Sequence, residues 1–202
     1  MAPHAALAVI GVDYELVLVE RDAQGRSPSE YLALNPWGRV PTIEDGGLVL
    51  TESAAILLHL ADSHPEAGLA PEVGTDARAD LYRRLIYLTN TVQPSFLRLF
   101  YPERYTTDPG GEDAIRACES ATLGLHFDRL DTELAERPWL VVGDGLTVAD
   151  LFLFMLIRWG RTLEPAAWER PSLRRYFLRL LAVPGVRRMM DEQGLETPLL
   201  PL

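Results

Sequence analysis

Glu52 and Ser53 sit where a strand-like run gives way to a helix-like one. A helix start offers unpaired N–H groups and a partial positive charge, so a ligand carboxylate is stabilised there. The Ser53 hydroxyl adds a donor, and Glu52 beside it can accept an ammonium. The pair suits the two charged groups of an amino-acid head. The plainer reading makes Ser53 a helix cap and Glu52 a surface strand end. Upstream, Val40-Pro41 opens a strand. Proline there removes a ladder donor, and an X-Pro bond can be cis. A cis bond turns the Val40 N–H and C=O outward, free to pair with a short extended peptide; an ordinary trans turn is the alternative. The run Asn35-Pro36-Trp37-Gly38-Arg39 precedes it, and its indole and guanidinium either line a small-molecule site or belong to a surface turn.

These residues need elements to position them. Residues 3–10 are helix-compatible, with Pro3 in the first turn and Gly11 ending the run. Residues 14–20 read as a strand covered on both faces, because Leu16-Val17-Leu18-Val19 is continuously apolar. Ser27-Pro28-Ser29-Glu30 reads as a capping box that starts a short helix, and Asn35-Pro36 stops it. Strands over 40–44 and 48–51 flank Asp45-Gly46-Gly47, a hairpin signal. Ser53 opens a helix to about residue 63, and 64–75 reads as a linker.

Everything after that is helical by periodicity. Leu81, Leu85, Leu88 and Val92 share one face, as do Leu123, Phe127, Leu130 and Leu134. Thr147-Val148-Ala149-Asp150 is a capping box with Leu146 and Leu151 as its hydrophobic staple. Further helices fit 171–181 and 184–193. The expected division is an α/β unit over 1–65, a linker over 66–76 and an all-helical unit over 77–202.

Composition narrows the function. With 19 basic and 29 acidic residues the 202-residue chain carries a net charge of −10, which argues against general binding to nucleic acid or anionic membrane. All the cations are arginine, so Schiff-base or acid–base lysine chemistry is excluded. One cysteine, Cys118, rules out a disulfide framework. No run approaches the roughly 20 apolar residues of a membrane span, and no signal peptide is visible at Met1-Ala2-Pro3-His4, so the cytoplasm is the expected compartment. No metal-ligand spacing occurs, and no metal is expected.

The continuous order from Ser27 to Thr42 and from Asp45 to Ile56, with Asn35-Pro36-Trp37-Gly38-Arg39-Val40-Pro41 followed by Glu52-Ser53, resembles the glutathione S-transferase family. The resemblance covers the whole chain. It implies a thioredoxin-like N-terminal domain, an all-helical C-terminal domain and conjugation of the glutathione thiol to a small electrophile. It also implies glutathione as co-substrate and a homodimer. Val40 then pairs by backbone with the cysteinyl part of glutathione, Pro41 shapes the bend, and Glu52 and Ser53 hold the γ-glutamyl head. Trp37 and Arg39 flank the tripeptide. Asp150 matches the family's buried helix cap, a folding role.

The sequence departs from the family at its start. Family members begin with a strand and a turn carrying a tyrosine, serine or cysteine that activates the thiol. Here Met1 already lies inside what resembles the first helix, and no Ser, Thr, Cys or Tyr precedes Tyr14. Catalytic residue and first strand are expected upstream, with Met1 an internal methionine; the alternative is a short form, unstable or inactive. His4 is a weak substitute, Cys118 a small core residue, His59 and His126 structural, and His64 exposed. The second substrate is expected beside residues 89–105, with Asn90, Gln93, Tyr101 and Tyr105 lining its pocket, Trp159 near it, and Pro94 kinking or ending the helix. A non-catalytic glutathione-binding or protein-interaction module, and a glutathione-dependent isomerase or dehalogenase, remain as rivals.

Overall fold

The computed structural model describes residues 1–143 and 145–195. Helix α1 (Ala2–Ile10) carries Pro3 in its first turn and closes on Gly11 in the left-handed region. Helix α2 (Ser29–Leu34) follows an irregular stretch. Strands β1 (Thr42–Asp45) and β2 (Leu48–Thr51) pair antiparallel, Thr42 opposite Thr51 and Asp45 opposite Leu48. Gly46 and Gly47 both take positive φ, the geometry a tight two-residue hairpin demands. Helix α3 (Ser53–Ser63) returns beneath the hairpin, and His59 Nε2 ties it to Asp45 Oδ2 at 2.9 Å.

Six further α-helices follow among the described residues: α4 (Asp76–Tyr87), α5 (Gln93–Phe100), α6 (Glu112–Glu133), α7 (Val148–Trp159), α8 (Pro171–Leu181) and α9 (Pro184–Glu192). The periodic leucines predicted to face inward do so, from Leu81 through Val92 and from Leu123 through Leu134. Helix α7 is buried nearly throughout and forms the centre of the core. Its start is fixed by Asp150, which is fully buried. One carboxylate oxygen accepts from the Thr147 N–H and hydroxyl, both at 2.7 Å. The other accepts from the Leu140 N–H at 2.8 Å and the Tyr176 hydroxyl at 2.6 Å. The predicted cap is present and also joins the preceding loop and α8 to α7.

Helices α1 and α9 pack closely because Gly185 has no side chain. A Cβ there would lie 2.5 Å from the Val9 nitrogen.

The structure corrects several expectations. Residues 14–20 form no strand: the ladder among the described residues has two strands, and neither pairs with this segment. Three apolar side chains of the run are uncovered, Leu16 at 55%, Val17 at 73% and Leu18 at 83% exposure, while Val19 is half-buried. Ser27 does not cap α2; Pro28 occupies the cap position, and the Ser27 hydroxyl donates instead to the Gly38 carbonyl at 2.9 Å. Of the two outcomes expected at Pro94, a kink or an end, the end does not occur. The chain passes from α4 into α5 through a widened π turn over Leu88–Val92, which places proline, without an N–H, in the first turn of α5. Cys118 is exposed on α6 rather than packed in the core.

Candidate functional site

The hairpin and the start of α3 bring the first set of site residues to one end of the small sheet. The bend before β1 is held almost wholly through backbone carbonyls. Arg39 C=O accepts from the Tyr31 hydroxyl at 2.5 Å and from Asn35 Nδ2 at 2.7 Å. Asn35 Oδ1 accepts from the Trp37 N–H at 3.1 Å, and Gly38 N–H donates to the Asn35 carbonyl at 2.8 Å. Gly38 C=O accepts from Arg21 Nη2 at 2.7 Å. Gly38 itself takes φ +61°, and a Cβ there would press on the Ser27 hydroxyl and on Leu32. The side chains of Trp37, Arg39 and Val40 are left in solvent. Asn35, Tyr31, Ser27 and Arg21 thus hold a loop they were not expected to hold. Only Ser27 and Asn35 carried a sequence signal, read chiefly as a helix cap and a helix stop.

The Val40–Pro41 peptide bond is cis. The ladder begins at Thr42, so Val40 lies just outside it. At the far end of β2, Glu52 occupies the cap position of α3 with φ +66°. A non-glycine residue there costs about 1–3 kcal/mol and persists only where the surroundings impose it. The Glu52 carbonyl accepts from the Ile56 N–H at 2.9 Å, the first bond of the helix. The N–H groups of Ser53, Ala54 and Ala55 therefore stand ahead of the helical ladder. Ser53 is the first helical residue, not the cap, and is half-buried. Sequence reasoning found this pair by residue type but had no signal for the strained backbone of Glu52.

Two polar groups from the first fourteen residues are engaged elsewhere. His4 is buried between α1 and α9. Gln193 Nε2 donates to His4 Nδ1 at 2.8 Å, which places the ring proton on Nε2, 2.6 Å from Glu192 Oε2. The Tyr14 hydroxyl donates to the same oxygen at 2.5 Å. Burial, and then the neighbouring carboxylate, push Tyr14 up to about 12. Hydrogen bonds from Tyr14, Arg188 and His4 hold Glu192 down at about 2. Neither His4 nor Tyr14 has a group free to serve a thiol.

The residues expected around a second substrate fall on the π turn, α5 and the loop after it. Asn90 is exposed and Gln93 half-buried. Tyr101 and Tyr105 stand in solvent, and Trp159 packs edge-on against Phe96 and Phe100. His126 meets the Tyr87 hydroxyl at 2.9 Å, and burial lowers its pKa. His64, expected to be exposed, is half-buried instead, with Glu66 3.4 Å away. Among the described residues there is no cluster of His, Cys, Asp or Glu able to hold a metal ion.

Residues 1–62 match the Glutathione S-transferase, N-terminal domain family, and residues 104–184 match its C-terminal domain family. The chain belongs to the glutathione S-transferase family. Glutathione S-transferase GST-4.5 of Xanthomonas campestris pv. campestris is 33% identical, with 96% of this chain and 94% of the relative aligned. A sphingomonad glutathione S-transferase solved in complex with glutathione superposes with a TM-score of 0.81 at 33% identity, covering 96% of this chain and 94% of that one. The glutathione S-transferase of Xylella fastidiosa superposes at 0.86 with 31% identity over the same shares. The thioredoxin-like N-terminal domain with a small antiparallel sheet, followed by a helical C-terminal domain, is the arrangement of this family.

Proposed function

We propose that this glutathione S-transferase family member binds glutathione across the Val40–Pro41 bend and the start of α3 and conjugates its thiol to a small electrophile. The observation that carries the reading is the opening of α3. Three backbone N–H groups stand ahead of the helical ladder at Ser53, the end of a helix where a γ-glutamyl carboxylate would be neutralised, and Glu52 precedes them for the ammonium. The Val40 backbone, outside the ladder and next to the cis proline, serves the cysteinyl portion. Trp37 and Arg39 flank the tripeptide. Asn90, Gln93, Tyr101 and Tyr105 face the electrophile. The related sphingomonad enzyme is known in complex with glutathione, and a Sulfitobacter homologue with glutathione bound.

Catalysis in this reading comes from holding the thiolate and the electrophile together in attack geometry. The group that activates the thiol is assigned to no described residue, since His4 and Tyr14 are both engaged by Glu192. That engagement favours one second reading, a glutathione-binding module without turnover. We place the functional unit in the cytoplasm as a homodimer divided at residues 66–76; no described helix is long and apolar enough to cross a membrane.

Retention on immobilised glutathione tests the site. Wild type is expected to be retained and eluted by free glutathione, with Ser53→Ala and Glu52→Ala eluting early. Equal retention of all three refutes the assignment. Conversion of chlorodinitrobenzene in the presence of glutathione then separates enzyme from binder.

A further inference from the structure

A ladder of aromatic rings runs from the core to the surface along α5. Phe96 is buried, its ring 6.0 Å from Phe127 and 5.8 Å from Trp159. Phe100 follows 5.5 Å from Phe96 and 5.9 Å from Trp159, and it is 37% exposed. Tyr101 comes next, 6.4 Å from Phe100 and 40% exposed. On the Tyr101 ring lies the guanidinium of Arg104, 4.1 Å from the ring centre. The carboxylate nearest to it is Glu103, at a loose 3.7 Å within the same turn. Arg98, the other cation on this stretch, is drawn off by Glu119 through both of its carboxylate oxygens.

A stacked guanidinium keeps its edge N–H groups free in a fixed fork that matches a carboxylate or sulfonate. Stacking also reduces the freedom lost when an anion docks. Beside it, exposed aromatic faces present a flat apolar surface for a ring. We propose that Arg104, seated on Tyr101, is a specificity-determining residue that selects a planar aryl electrophile bearing an anionic substituent. The inference rests on the conjugation reading above. In the step it serves, the glutathione sulfur bonds to the ring carbon that carries a halide. The halide leaves with its bonding pair, and the thiol proton goes to solvent. Arg104 touches the anionic substituent and not the reacting atoms, so its effect is on preference. Glu103, the competing carboxylate, acts in the opposite direction.

The test uses neutral chlorodinitrobenzene and the intrinsically slower, anionic chloronitrobenzoate, each compared with itself across wild type, Arg104→Gln and Glu103→Gln. Arg104→Gln is expected to lower kcat/KM for the benzoate about fivefold, the discounted value of one exposed charge-assisted contact, and to leave the neutral substrate unchanged. Glu103→Gln is expected to raise the benzoate value about twofold. An unchanged ratio of the two substrates in Arg104→Gln overturns the inference. Equilibrium binding of each electrophile, read from tryptophan fluorescence without glutathione, keeps the two readings apart. If wild type turns over neither compound yet binds the benzoate more tightly than Arg104→Gln does, conjugation fails and the anion preference stands. Equal benzoate affinity in the two proteins overturns the preference whatever the turnover.

Discussion

Glu52 shows how one residue can serve opposed demands. Its positive φ is unfavourable for any residue except glycine, yet it turns the chain from β2 into α3 and leaves the first N–H groups of α3 ahead of the helical ladder. Glu52→Gly should relieve the backbone and raise unfolding stability by about 1 kcal/mol, net of the extra chain entropy glycine brings. The same change removes the carboxylate, so affinity for glutathione should fall; urea melts and calorimetric titration read the two effects separately. Ser53→Ala is a milder probe. Losing one hydroxyl donor to a charged carboxylate is expected to weaken binding roughly tenfold, with stability unchanged to within about 0.5 kcal/mol. A tenfold loss without any change in melting temperature identifies a contact to ligand rather than a folding role.

Among the elements, α7 and the α1–α9 pair have the least tolerance. Asp150→Ala leaves the Leu140 and Thr147 N–H groups and the Tyr176 hydroxyl without their buried acceptor. It should cost about 3–5 kcal/mol in denaturant melts, enough to depress soluble yield. Gly185→Ala drives a methyl into the Val9 backbone and should cost about 2 kcal/mol or more by separating α9 from α1. Asp150 was legible in the sequence because a capping box has a fixed spacing, and the periodic leucines of α4 and α6 were legible for the same kind of reason. Residues 14–20 were misread because an apolar run specifies a strand only when neighbours pair with it, and pairing is not written in the run itself. Cys118 was misread because residue type favours burial while its place on α6 decides against it. The π turn before Pro94 was half legible: proline marked the disturbance, but neighbouring helices determine whether a helix breaks or widens.

For the molecule as a whole, the cluster of His4, Tyr14, Arg188 and Glu192 binds the first helix to the last. Glu192 is held at about 2, against 4.5 unpaired. A carboxylate with a depressed folded pKa stabilises the fold fully above its unfolded value, and that contribution disappears as pH falls through the folded one. Melting temperature should therefore decline between about pH 4.5 and pH 2, and Glu192→Gln should flatten the decline in that window. Tyr14, at about 12 in the fold against 10 unpaired, works from the other side. Its contribution is complete below pH 10 and disappears between about pH 10 and 12, and Tyr14→Phe should remove that alkaline slope. The order of motifs along the chain made the global architecture readable, while the joining contacts between α1 and α9 depend on residues far apart in the chain. Cys118, the sole thiol and open to solvent on α6, offers a different kind of handle. A nitroxide coupled there places one spin on each copy, so pulsed dipolar spectroscopy would return a single separation for a symmetric pair and none for a solitary chain.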